Sequence, residues 1–218
     1  MECTGLILAG GRGTRMGGVD KGLQPLGGQA MVQHALQRLR PQVQHLLVNA
    51  NQNLAAYRAF GVPVVPDAMP DFAGPLAGLQ TGLMHSTTPY LVTVPCDSPL
   101  LPTDLVQRLA LALEAQDAEL AVAETGSGPT RQLHPVFCLA KVVLLPSLTQ
   151  YLQTGGRKME TWQATLRVAT VHFDNEAAFS NINTLEELRQ IEGFGANEAM
   201  GKQTIASSYL FDSKLIRK

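Results

Sequence analysis

The chain has 218 residues, 45% hydrophobic and 16% charged, with 17 basic against 18 acidic side chains and a net charge of −1. A chain of this size buries roughly 70% of its unfolded surface on folding and needs no staples. There is no basic excess to hold nucleic acid, and nothing in the sequence suggests a membrane-binding face.

Apolar runs of strand length alternate with helical patterns along the first half. "TGLILA" over 4–9 reads as a buried strand, and "AMVQHALQRLR" over 30–40 as a helix that stops at Pro41. "HLLVN" and "VPVVP" read as strands on either side of a short helix, "LAAYRAF", which Gly61 ends. "PLAGLQTGLMHS" over 75–86 is a helix with Pro75 in its first turn. "YLVTVP" over 90–95 is a strand, and "PTDLVQRLALALEAQ" an amphipathic helix. Such alternation implies a mostly parallel sheet covered on both faces.

In the second half, "ELAVAE" and "HPVFCLA" read as strands joined by a flexible loop, "TGSGPTRQ". Helices are expected near 141–152 and 158–165, then a strand, "RVATVHF". "NTLEELRQIE" reads as a last helix, where Thr184 and Glu187 form a capping box. We read one domain over 1–193, its first half facing a nucleotide and its second half an acceptor. Periodicity stops beyond it, and 201–218 carries a net charge of +3. Residues 194–218 read as an irregular tail, disordered or left over from expression. Cys3, Cys96 and Cys138 show no metal-ligand spacing and read as reduced thiols. No signal-peptide pattern opens the chain and no apolar run reaches membrane-spanning length, so a cytoplasmic location is expected.

The stretch "LILAGGRGTRMGGVDKGL" over 6–23 holds six glycines. A glycine-rich turn after the first strand of an α/β sheet lets backbone N–H groups close on a phosphate. Two familiar templates fail. The dinucleotide fingerprint finds Met16 where its third glycine belongs. The P-loop pattern finds Lys21 after Asp20, with no Ser or Thr following. Arg15 and Lys21 nonetheless place two cations around free backbone donors. That suits a triphosphate whose leaving group needs stabilising. The plainer alternative is a tight turn with solvated charges, Lys21 pairing with Asp20.

"LAGGRGTRMGGVDKGL" resembles the signature of the molybdenum cofactor guanylyltransferases, within the nucleotidyltransferases that open with LAGG-x-x-x-R-M. "VNAN", "VVPD", "GPLAGL", "PCDSP" and "NINTLEEL" follow as similar blocks in the same order, so the resemblance covers about 4–192. It implies a three-layer α/β/α fold. The sheet would be Rossmann-like and mostly parallel (mixed), of the nucleotide-diphospho-sugar transferase type. It implies GMP transfer from GTP to the terminal phosphate of molybdopterin, with Mg2+ and release of diphosphate. It also implies contact with other proteins of cofactor biosynthesis or molybdoenzyme maturation.

The resemblance assigns roles residue by residue. Asp97, just past the strand "YLVTVP", would bind magnesium and the nucleotide. A strand's carboxyl end is where open α/β sheets place ligands, and magnesium takes one or two carboxylates plus phosphate and water. Lys21 and Arg15 would hold phosphate charge, and with Asp97 they form the catalytic set. Leu8, Ala9, Gly10 and Gly11 would face base and ribose through their backbone. Asn49 and Asp67 would bind the nucleotide, the aspartate accepting from guanine's donor edge. Turn chemistry is the alternative for Asn49, and a helix cap or turn for Asp67. Gly74, Pro75 and Gly78 would open a helix under the ligand or simply allow close packing. Arg131, His134, Asn181 and Asn183 are the expected acceptor-binding residues. His34, His45, His85 and His172 show no ligand spacing and read as structural. The competing readings are a cytidylyltransferase on the same pterin, a sugar-phosphate nucleotidyltransferase, and a non-catalytic nucleotide-binding adaptor.

Overall fold

A computed structural model of the protein describes residues 1–11, 20–69 and 74–182. The chain opens with β1 (Cys3–Leu8), then a 3-10 turn at Lys21–Leu23 and a small hairpin of β2 (Pro25–Leu26) and β3 (Gln29–Ala30). Next come α1 (Met31–Leu39), β4 (His45–Asn49), α2 (Leu54–Arg58) and β5 (Val64–Val65). Helix α3 (Pro75–His85), β6 (Tyr90–Pro95), α4 (Leu105–Ala115) and β7 (Leu120–Thr125) follow. The described part closes with β8 (Gln132–Lys141), α5 (Leu145–Gln153), α6 (Met159–Gln163) and β9 (Val168–His172).

Seven strands form one sheet in the order β5-β4-β1-β6-β8-β7-β9. All neighbours run parallel except β8, which is antiparallel to both β6 and β7. Side chains alternate across the sheet, as the two-residue period of a strand requires. Ile7, Val48 and Val92 face α1 and α4 with Val32, Leu36, Leu39, Leu105 and Leu109. Leu6, Leu47 and Leu91 face α3, α5 and α6 with Leu76, Leu79, Leu148 and Trp162. Both faces are thus covered, giving the expected three layers and mixed sheet.

Several local expectations shift. Helix α1 stops at Leu39, and Pro41 sits inside a 3-10 turn at Arg40–Gln42 rather than just past the helix. The β2–β3 hairpin was not foreseen. The loop expected to be flexible between β7 and β8 contains a 3-10 turn at Gly128–Thr130, closed by a capping box between Ser127 and Thr130. The three thiols are buried and unpaired. Among the described residues no helix is long and apolar enough to cross a membrane. The expected last helix and the tail over 194–218 lie outside the described residues.

Candidate active site

The sheet order reverses between β1 and β6. From β1 the chain goes to α1 and β4 on one side, and from β6 it proceeds to the strands on the other. The crevice beyond the carboxyl ends of such a strand pair is the ligand site of open α/β sheets. Leu8 and Pro95 are register partners at those ends. Lys21 follows β1 and Asp97 follows β6, and the two meet there, Lys21 Nζ lying 3.3 Å from Asp97 Oδ2. Their side chains are 21% and 13% exposed. Burial raises the Asp97 pKa above the ordinary carboxylate value, and the Lys21 ammonium offsets only part of that shift.

Lys21 therefore does not form the surface pair with Asp20 that sequence allowed. The Asp20 carboxylate instead accepts from the Tyr57 hydroxyl at 2.5 Å and from Asn53 Nδ2 at 3.0 Å. Tyr57 is fully buried. Its pKa is pushed far up, first by that burial and then by the neighbouring Cys96 and Asp20, so its hydroxyl remains a donor. Gly22 completes the device: a Cβ there would sit 2.5 Å from the Tyr57 oxygen and 3.2 Å from Cys96 Sγ. In "DKGL", then, the aspartate anchors, the lysine reaches into the crevice and the glycine admits its neighbours. Asp20, Asn53 and Tyr57 escaped sequence reading because their link spans more than thirty positions. Arg15 lies outside the described residues.

One nearly buried carboxylate beside one ammonium fits a magnesium ion completed by phosphate oxygens and water. Among the described residues no group of three or more His, Cys, Asp or Glu side chains offers a metal cage of its own.

On the β4 side of the crevice, Leu8 to Gly11 run beside a polar knot. The Ala9 amide donates to the Asn49 carbonyl at 2.8 Å. Asn49 Nδ2 donates to Asp67 Oδ1 at 2.8 Å and to the Val65 carbonyl at 3.2 Å. Asn51 Nδ2 donates to Asp67 Oδ2 at 2.8 Å, and Asn51 Oδ1 accepts from the Asp67 amide at 2.8 Å. Asn49 is buried and is no turn residue. Asn51 was missed, although it lies two positions from Asn49 in "VNAN". Gly74 and Pro75 open α3 beneath this knot. A Cβ on Gly78 would press on Asn49 Oδ1 and sit 2.6 Å from Leu8 Cδ2, so close packing is what this glycine serves.

On the β8 side lies a cavity of about 540 Å³. A bulge shapes it: Val122 pairs with Cys138 and Ala123 with His134, so 135–137 have no partner in β7. Carbonyls freed this way are taken up by side chains, Val136 by Thr93 Oγ1 at 2.5 Å and Pro135 by Gln163 Nε2 at 2.9 Å. His134 lines the cavity, stacks on Phe179 at 4.7 Å between ring centroids, and lies 2.8 Å from Thr125 Oγ1 through Nε2. Burial lowers its pKa, against a smaller opposing pull from Glu176. Asn181 also lines the cavity, and its Oδ1 accepts from the buried Ser98 hydroxyl at 2.8 Å. The Ile182 amide donates to the Asp97 carbonyl at 2.9 Å, tying this wall to the loop that carries Asp97. Arg131 is bound to Glu124 at 2.6 Å and is not among the described lining residues. Asn183 lies outside the described residues. His34 and His85 sit against the Leu26 and Thr81 carbonyls, within 2.9 Å, as structural histidines do.

Comparison with known proteins agrees with this arrangement. The family model of the MobA-like NTP transferase domain matches residues 5–168. The molybdenum cofactor guanylyltransferase of Cupriavidus taiwanensis is 62% identical over 192 residues, covering 88% of this chain and 96% of the relative. Among solved structures, molybdopterin-guanine dinucleotide biosynthesis protein A from Archaeoglobus fulgidus superposes with a TM-score of 0.72 at 19% identity, covering 89% of this chain and 99% of that one. CMP:2-keto-3-deoxy-manno-octonic acid synthetase, solved with CTP, superposes with a TM-score of 0.71 at 13% identity, covering 91% and 100%. At those identities the two structures speak for the nucleotidyltransferase fold. The sequence matches go further: this chain is a nucleotidyltransferase that belongs to the molybdenum cofactor guanylyltransferase family, with a MobA-like NTP transferase domain.

Proposed function

We propose that the protein transfers GMP from GTP to the terminal phosphate of molybdopterin. A phosphate oxygen of the acceptor forms a bond to the α-phosphorus of GTP while the bond to the β-phosphate oxygen breaks, and diphosphate leaves. The observation that carries this reading is the Lys21–Asp97 pair at the switch point, with a polar knot on one side and a cavity on the other. Lys21 offsets charge on the departing diphosphate, and Arg15 supplies a second cation. Asp97 would hold magnesium, which would offset phosphate charge in the transfer. The acceptor phosphate is already ionised, so no strong general base is needed. Positioning and electrostatics carry such a transfer without a covalent enzyme intermediate.

Guanine is read by the knot. Its N1–H and 2-amino group donate, and the Asp67 carboxylate, held in place by Asn49 and Asn51, accepts. Cytosine would turn its N3 lone pair toward that carboxylate and be repelled. His134 and Asn181 belong to the acceptor side. Buried free thiols suit a reducing compartment, and we place the enzyme in the cytoplasm.

The test is nucleotide selectivity. GTP with magnesium should raise Tm and support diphosphate release in the presence of molybdopterin, while CTP should do neither. Equal protection and turnover by CTP would favour the cytidylyl reading. Protection by GTP with no diphosphate released would favour an adaptor.

A further inference from the structure

The β8-side cavity has a chemical character that its position alone does not explain. Among the described residues that line it there is no lysine or arginine, yet two carboxylates, Glu160 and Glu176, face it. A phosphate or another anion would be repelled there. Such a recess suits a cation or a neutral group whose edge donates hydrogen bonds, and its aromatic lining favours a flat ring.

The aromatic wall agrees. His134 and Phe179 stack with ring planes 21° apart, and Phe137 meets Phe179 edge-on at 4.8 Å. Glu176 and Phe179 are the first and last residues of a 3-10 turn, Glu176–Phe179. In a 3-10 helix, residues three apart lie over one another. The turn therefore presents a carboxylate and an aromatic ring on the same side of the cavity. Glu160, in the first turn of α6, also lines the cavity.

We infer that this cavity binds the pterin ring of the acceptor and that the Glu176 carboxylate accepts from its 2-amino and ring N–H groups, beside the His134–Phe179 pair. This rests on molybdopterin being the acceptor. Pterin and guanine share the same 2-amino-4-oxo edge. The product then carries that edge twice, and the chain meets each with an acid: Asp67 on the β4 side and Glu176 on the β8 side. The acceptor's phosphate leaves the acidic cavity past Pro95 and Asn181, which line it next to the Asp97 loop.

Glu176 is exposed, so Glu176→Gln keeps the fold and exchanges an acceptor oxygen for an amide donor. Two readouts on the full chain test the assignment. One is fluorescence titration with 6-hydroxymethylpterin, a pterin without phosphate. The other is KM for molybdopterin in GMP transfer. Glu176→Gln should weaken pterin binding and raise the acceptor KM about 10- to 100-fold, the usual range for losing a hydrogen bond to a charged group. Its GTP affinity should stay within about twofold of the parent. Glu160→Gln should change pterin binding far less. Unchanged pterin affinity and acceptor KM in Glu176→Gln, or an equal loss in Glu160→Gln, would overturn the assignment while leaving GMP transfer intact. If instead the parent protein transfers no GMP to molybdopterin, the proposed function fails. The pterin titration then still decides what the cavity binds.

Discussion

Burial holds the Asp97 carboxyl above the ordinary aspartate value of 3.8, and Lys21 only partly offsets it. The sign of the consequence follows from linkage. A group whose pKa is raised by folding adds stability only while protonated in both states. That contribution disappears as pH climbs from the unfolded value through the folded one. At neutral pH the ionised Asp97 is therefore a net cost to the fold, retained for what it does. Asp97→Asn should raise Tm at pH 7 while abolishing turnover, and the gain should shrink as pH falls toward 4. Thermal melts across that range check this, and a lower Tm at pH 7 would contradict it. The resemblance to the family's blocks singled out Asp97, Lys21, Asn49 and Asp67, each of which sits beside a strand end or a glycine-rich turn. It missed Asn51, Asp20, Asn53 and Tyr57, whose roles rest on hydrogen bonds between segments far apart in the chain.

At the scale of elements, β1, β4 and β6 were legible almost to the residue, because each is an apolar run buried on both faces. β5 shrank to Val64–Val65, because its neighbours are prolines that cannot donate to a ladder. The antiparallel direction of β8 was implicit in the short link over 126–131, too short for a crossover. Gly126 and Gly128 adopt positive φ there, as a tight reversal requires. The contact between α3 and the Asn49–Asp67 knot rests on Gly78. Gly78→Ala would press a methyl group on Asn49 and Leu8, both fixed by packing. It should cost about 1–3 kcal/mol, the usual range for overpacking, and lower Tm by roughly 2–4 °C per kcal/mol. GTP affinity should fall with it, because Asn49 holds Asp67. Denaturant melts and GTP titration measure both, and unchanged values would remove α3 from the account.

Across the whole molecule, two binding halves share one centre because the sheet order reverses there. Helices join the β4 side to the β8 side, α3 packing on α5 with Gln80 Nε2 donating to Thr149 Oγ1 at 3.0 Å. At the crevice itself they also meet through the loop after β6, where Ser98 donates to Asn181 and the Asp97 carbonyl accepts from Ile182. The alternation of strands and helices gave the layers away. It could not give the bulge in β8, which depends on how Thr93 and Gln163 satisfy the freed carbonyls. Ser98→Ala should cost about 0.5–1.5 kcal/mol, a typical net hydrogen bond. It should raise KM for the acceptor while leaving GTP affinity near normal. Equal effects on both substrates would mean that Ser98 supports the whole loop rather than the Asn181 wall.

The most direct measurement is diphosphate release by Lys21→Ala with GTP, magnesium and molybdopterin, under conditions where the variant melts like the parent. The account predicts turnover reduced roughly 100- to 1,000-fold, as expected when one preorganised charge partner of the transition state is removed. Turnover within a few-fold of the parent would contradict it, since the Lys21–Asp97 crevice could then not be where the phosphorus–oxygen bond breaks.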